Sequence, residues 1–150
     1  VIGGKLTTYR VLAEEVMDLL ADVLVHQRGS FTASEPLPGG DFAVTGFADL
    51  CAGLYKNYPH LPKTLLVRAA RAYGTKAQDW LGRANSFEDL GRCFGADLTQ
   101  AEVDYLCRVE FAGTAEDIVW RRSKLGLRLT REQINQVQAY IDSVSKTPST

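Results

Sequence analysis

Strong net charge, long apolar runs and paired cysteines are all missing from this sequence. Its 17 basic and 18 acidic residues leave a net charge of −1. Bulk charge therefore selects neither nucleic acid nor an anionic membrane, and any such attraction has to be local. No run of eighteen apolar residues occurs, so no ordinary membrane-spanning helix is expected. Nor do the first residues pair a basic stretch with an apolar one, as a secretion signal would. The three cysteines, Cys51, Cys93 and Cys107, are odd in number, far apart and without a CxxC pair. They read as reduced thiols filling small spaces in a core. His26 and His60 have no ligand-type neighbours at metal-binding spacing, and no metal site is expected. Strand-like alternation is scarce as well, with one candidate pair near Phe42–Val44. A cytoplasmic protein is expected, peripheral on a membrane at most.

What is present is helical periodicity. With 45% hydrophobic and 23% charged residues over 150 positions, the chain can build one core, or one core carrying a piece of another domain. From Thr8 to about Arg28, Leu12, Val16, Leu19, Leu20 and Val23 recur at helical spacing until Gly29. Residues 29–46 are rich in glycine and proline and read as a linker or ordered loop. Helices are expected over 47–57 and from Leu61 to Tyr73, the latter with Leu65, Ala69, Ala72 and Tyr73 inward. Gly74 ends that helix, and Thr75 caps another that runs to about Arg83. Residues 84–98 are mixed, with at most a turn near Phe87. Thr99 and Glu102 form a capping box for a helix with Val103, Leu106 and Cys107 facing in. That gives Glu102 a capping role rather than a catalytic one, with Asp104 on another face. Thr114 and Asp117 repeat the pattern for a helix closed by Gly126. Thr130 caps the last helix, along which Ile134, Val137, Ile141 and Val144 recur, and a polar tail begins at Ser145. The body is all-α.

Two stretches invite functional readings. In "GGKLTTYR" (3–10), Gly3 and Gly4 allow close backbone approach and positive φ. The first amides of the following helix lack intrahelical acceptors, and Lys5, Thr7 and Thr8 add further donors. Together these make an anion site at a helix N-terminus, or else an ordinary glycine turn with a threonine cap. It is not a P-loop, because Leu6 follows the lysine. Val1 and Ile2 suggest the end of a strand feeding a βα unit, whose sheet would lie upstream. The second stretch is "RRSKLGLRLTR" (121–131), which holds Arg121, Arg122, Lys124, Arg128 and Arg131 without an acid. It reads as a solvated helix end or as a contact with lipid, nucleic acid or another part of the same protein. Of these contacts the intramolecular one is preferred, and nucleic acid is disfavoured by the overall charge. Trp120 beside it reads as a half-buried core residue.

"GGKLTTYR" resembles the motif near the end of the flavin-binding domain in FAD-dependent, quinone-linked glycerol-3-phosphate dehydrogenases. "LPGGDF" (37–42) is similar to that family's linker, and "RAARAYGTKAQDWL" (68–81) to its arginine-rich helix and tyrosine-glycine turn. "LTQAEVDYLCRVEFAGTAEDIVWRRSKLGL" (98–127) resembles the helix pair of its C-terminal cap domain. The likeness runs through nearly the whole chain in the right order. It implies an all-α, multi-helix C-terminal cap domain preceded by a long helix left over from an α/β flavin-binding domain. Residues 1–28 would close the FAD-binding domain, 29–46 link, 47–145 form the cap, and 146–150 a polar tail. The reaction implied is oxidation of sn-glycerol 3-phosphate to dihydroxyacetone phosphate, with electrons passed through FAD to quinone. The resemblance further implies that Lys5 binds substrate and that Gly4, Lys5, Leu6 and Thr7 line the flavin. No catalytic residue is assigned, and the chain alone is expected to be inactive and to carry no FAD. The implied partners are an upstream FAD-binding catalytic domain and, as one option, a second copy of the chain. The competing expectation is a free-standing helical protein-interaction module.

Overall fold

In the computed structural model, which describes residues 4–24 and 29–145, nearly every regular element is helical. The chain divides into two units, Val1–Pro38 and Gly39–Thr150. In the first, a 3₁₀ turn Leu6–Thr8 leads into α1, Tyr9–Leu19. The helix is shorter than its sequence pattern predicts, and residues 25–28 of the expected span lie outside the described residues. None of its residues is buried, and Leu19, Leu20 and Val23 are exposed. With Leu12 and Val16 only partly covered, the helix has little beyond its marginal intrinsic propensity to extend it. Glu14 ties this unit together by accepting hydrogen bonds from the Ser30 and Thr32 hydroxyls and from Arg10 at 3.2 Å. The Ser30 hydroxyl, and then that of Thr32, hold its carboxyl below the usual value.

The second unit begins with α2, Phe47–Asn57, and α3, Lys63–Tyr73. No strand forms near Phe42–Val44. Gly46 N–H donates to Ala43 C=O in a turn, and Val44 is fully exposed. On α3, Leu65, Leu66, Ala69 and Ala70 are buried, while Ala72, predicted to face inward, is exposed. Gly74 does end this helix, at φ +58°, where a Cβ would collide with the Gly39 carbonyl. That carbonyl accepts from Thr75 N–H at 3.0 Å, so the two glycines let the loop seat directly on the helix end. Thr75 makes no side-chain cap; it lies in the 3₁₀ turn Gly74–Lys76, and α4 covers only Ala77–Leu81 before Gly82 stops it.

A hairpin follows that the sequence does not announce. β1, Cys93–Gly95, pairs antiparallel with β2, Leu98–Thr99. Its tip residues Ala96 and Asp97 both take positive φ, +46° and +56°. Such a two-residue turn normally calls for Asn-Gly or Asp-Gly, and Ala-Asp gives no such signal. Cys93 is exposed, so it is not the core filler expected, whereas Cys51 is buried.

Helix α5, Gln100–Val109, buries Val103 and Leu106 as its spacing predicts. The capping box expected at its start does not form. Thr99 makes no side-chain cap, its buried hydroxyl has no partner, and Glu102 points elsewhere. Removing an orphaned buried hydroxyl while keeping its shape relieves a desolvation penalty. Thr99→Val should therefore raise stability by about 1 kcal/mol, read as a higher urea midpoint at unchanged slope.

The Thr114–Asp117 box does form: Asp117 accepts from Gly113 N–H, Thr114 N–H and the Thr114 hydroxyl at 2.9–3.1 Å. The Thr114 hydroxyl, and then the Gly113 amide, hold the Asp117 carboxyl below its usual value. The helix it opens is π-helical over Asp117–Arg122. Lys124, not Gly126, takes the left-handed position after it, at φ +58°. Gly126 instead makes room for Trp120, since a Cβ there would lie 2.5 Å from the indole. Trp120 is 39% exposed and takes no part in the core, so the expected core role does not hold; its ring lies over Gly126 instead. Thr130 and Gln133 cap the last helix reciprocally, at 2.9 and 3.2 Å. On that helix, α6 (Arg131–Ser145), Val137 and Ile141 are buried but Val144 is exposed. Helix α3 packs on α2 and α4, α5 on α4 and β2, and α6 on β1. Leu54, Leu65, Phe94, Leu106, Ile118 and Val137 meet in the core.

Candidate functional site

The opening turn lies open to solvent. Gly4, Lys5, Leu6 and Thr7 are all exposed, Leu6 by 87%. Gly4 takes φ +133°. The Lys5 carbonyl accepts from both Thr8 N–H at 3.0 Å and the Thr8 hydroxyl at 3.1 Å, which fastens the turn onto the helix. Among the described residues no carboxylate lies within ion-pair distance of Lys5. An unpaired ammonium beside a helix N-terminus is a local centre of positive potential on a chain with almost no net charge.

A second cluster lies within residues 39–145, and sequence reasoning missed it. Glu102 on α5 is fully buried. Its two carboxylate oxygens accept a fork of hydrogen bonds from Arg68 on α3, each 2.7 Å long. Tyr73 donates its hydroxyl to the same carboxylate at 2.6 Å. Arg68 also donates through Nε to the Asp97 carboxylate at 2.5 Å and through Nη2 to the Asp97 carbonyl at 3.0 Å. Burial alone would favour a neutral guanidine, but the hydrogen bonds and charge of Glu102, then Asp97, hold Arg68 above its ordinary pKa. Burial, and then the Glu102 charge, push the Tyr73 phenol up. Its ring stacks edge-on with Trp80 and Tyr105 at 5.8 and 5.7 Å. The available signal was an arginine one turn beyond Leu65 on a helix whose other inward residues are apolar.

This cluster explains why Glu102 is not a cap: the bidentate guanidinium is a stronger partner than a backbone N–H. Asp104 does face another way, accepting from Tyr140 at 2.7 Å. Burial, and then that carboxylate, push the Tyr140 phenol up to about 12.

The basic segment 121–131 splits by environment. Arg121 is satisfied locally by Asp117 and Glu116 at 2.8 and 3.3 Å, and Lys124 reaches the Trp120 carbonyl. Arg122 and Arg128 instead line a groove of about 790 Å³ together with Lys63, Arg68 and Arg71 of α3. His60 is exposed, and His26 lies outside the described residues.

Residues 30–148 match the family described as the C-terminal domain of alpha-glycerophosphate oxidase. The chain is 43% identical over 143 residues to the glycerol-3-phosphate dehydrogenase of Pseudomonas aeruginosa, covering 95% of this chain and 28% of that protein. It is 42% identical over 133 residues to the D-erythritol 1-phosphate dehydrogenase of Brucella abortus, covering 89% and 26%. To the aerobic glycerol-3-phosphate dehydrogenase of Escherichia coli it is 38% identical over 142 residues, covering 94% and 28%. The chain thus spans about a quarter of the length of these relatives. With the match running through most of its length, and an all-helical body beneath it, the chain belongs to the family of alpha-glycerophosphate oxidase C-terminal domains.

Proposed function

We propose that this chain is the C-terminal part of an FAD-dependent dehydrogenase that oxidises glycerol 3-phosphate to dihydroxyacetone phosphate and passes the electrons to quinone. The observation that carries the reading is the similarity to the Pseudomonas aeruginosa glycerol-3-phosphate dehydrogenase over 95% of the chain. In this reading residues 1–28 close the FAD-binding domain, 29–46 link, and 47–145 cap or brace the catalytic domain without activity of their own. No helix among the described residues is long and apolar enough to cross a membrane. A cytoplasmic enzyme, or one peripheral on the membrane that holds its quinone, is consistent with that.

The residues at the opening turn suit a flavin. Gly4 takes a positive φ at the surface, and Leu6 and Thr7 are exposed beside it. When bound, the flavin supplies the hydride acceptor of the reaction. Gly4, Leu6 and Thr7 would hold it through the main chain. Lys5, an unpaired cation at a helix N-terminus, would balance negative charge on substrate phosphate and at the reacting centre. A single lysine acts there as a point charge rather than a bidentate fork.

The test compares two purified proteins by flavin absorbance and by dye-linked oxidation. The 150-residue chain is expected to be colourless and inactive. The same chain extended through its preceding region is expected to be yellow and active. Glycerol 3-phosphate and D-erythritol 1-phosphate are assayed side by side, since relatives named for each are present. A longer protein that folds yet stays colourless overturns the reading and leaves the interaction module standing.

A further inference from the structure

Five cations converge on the groove beside α3, and only one of them is neutralised. Arg68 has Glu102 and Asp97. Among the described residues no carboxylate pairs with Lys63, Arg71, Arg122 or Arg128. Three of these four are nonetheless held in place. Lys63 sits over the Tyr55 ring at 5.6 Å and Arg71 over Phe47 at 5.9 Å, while Arg122 donates twice to the Glu110 carbonyl at 2.8 and 3.2 Å. These four cations share one cavity whose acidic lining residue, Asp97, is already engaged by Arg68, so the cavity carries a local excess of positive charge on a chain of net charge −1.

We infer that this groove binds a small anion carrying more than one phosphoryl group. Its volume of about 790 Å³ falls in the range of small-molecule sites and exceeds what one phosphate fills. Arginine forks match phosphoryl oxygens bidentately, and Arg71, Arg122 and Arg128, from separated parts of the chain, line one space. Val67 and Ala72 add apolar wall, and the Thr64 and Ser123 hydroxyls add polar lining. Arg68, its charge offset by Glu102 and Asp97, is a rigid part of the wall rather than a binding arm. The site lies wholly within residues 63–128 and is independent of the reading given to Lys5.

Calorimetric titration of the 150-residue chain with inorganic pyrophosphate, at constant ionic strength, tests it. Saturable one-to-one binding is expected, stronger than that of inorganic phosphate. Arg71→Gln and Arg128→Gln should each weaken it by about tenfold or more, the loss of one charged hydrogen-bonded contact. Arg131→Gln, outside the groove, should leave it unchanged. Both groove arginines are exposed, so the variants should keep the parent circular dichroism and melting midpoint. Co-sedimentation with cardiolipin vesicles, whose lipid carries two phosphoryl groups, abolished by the same two changes, would assign the phosphoryl groups to lipid headgroups; pyrophosphate binding without it assigns them to a free ligand. Absence of saturable pyrophosphate and vesicle binding, or binding equal in all three variants, overturns the proposal. So does preferential capture of a polyglutamate peptide, which would make the groove a seat for an acidic protein segment.

Discussion

Glu102→Ala is expected to lower the stability of the helical unit by about 3–5 kcal/mol, the cost of stripping one partner from a buried ion pair. The change leaves Arg68 without two of its hydrogen bonds and Tyr73 without its acceptor, in a region that water barely reaches. The melting midpoint should fall by roughly 10–20 °C for a unit of this size. The double variant Arg68→Met, Glu102→Leu should lose much less than Glu102→Ala alone, because apolar replacement of both partners removes the desolvation cost along with the attraction. Asp97 would be affected as well. Its carboxylate and carbonyl are both held by Arg68, so a tip with two positive-φ residues would lose its tie. A loss below about 1 kcal/mol for Glu102→Ala would mean that solvent reaches the pair and that it behaves as a surface ion pair.

Lys5→Ala, made in the longer protein, is expected to reduce kcat/KM for glycerol 3-phosphate roughly 30- to 1,000-fold, about 2–4 kcal/mol of transition-state stabilisation. In the 150-residue chain the same change should leave stability within about 0.5 kcal/mol of the parent, since Lys5 is exposed and has no ion-pair partner among the described residues. The two readouts separate chemistry from folding. An unchanged kcat/KM would remove Lys5 from the proposed site, whatever the flavin content of the longer protein.

The helices were legible because their signals are local. The helix over 47–57, the helix expected from Leu61 and found over Lys63–Tyr73, the stop at Gly74 and the cap by Thr130 all depend on residues within a turn or two of one another. Periodicity misled where packing did not follow it. The first helix ends at Leu19 because none of its face is buried, and Val144 stays exposed despite its place in the repeat. The capping box at Thr99 failed for a related reason: a local partner for Glu102 was available, but a distant one binds it more strongly.

By itself, the sequence determined an all-helical body, the turns that punctuate it and the glycine-lysine turn near its start. Only the tertiary structure decided the hairpin at Ala96–Asp97, the true partner of Glu102 and the meeting of two basic stretches in one groove. Arg68 is 29 residues from Asp97 and 34 from Glu102. Each of these charges is unremarkable in its own segment. They become a network because α3 and α5 turn their apolar residues into one core, and a buried charge must then take whatever opposite charge the packing brings to it.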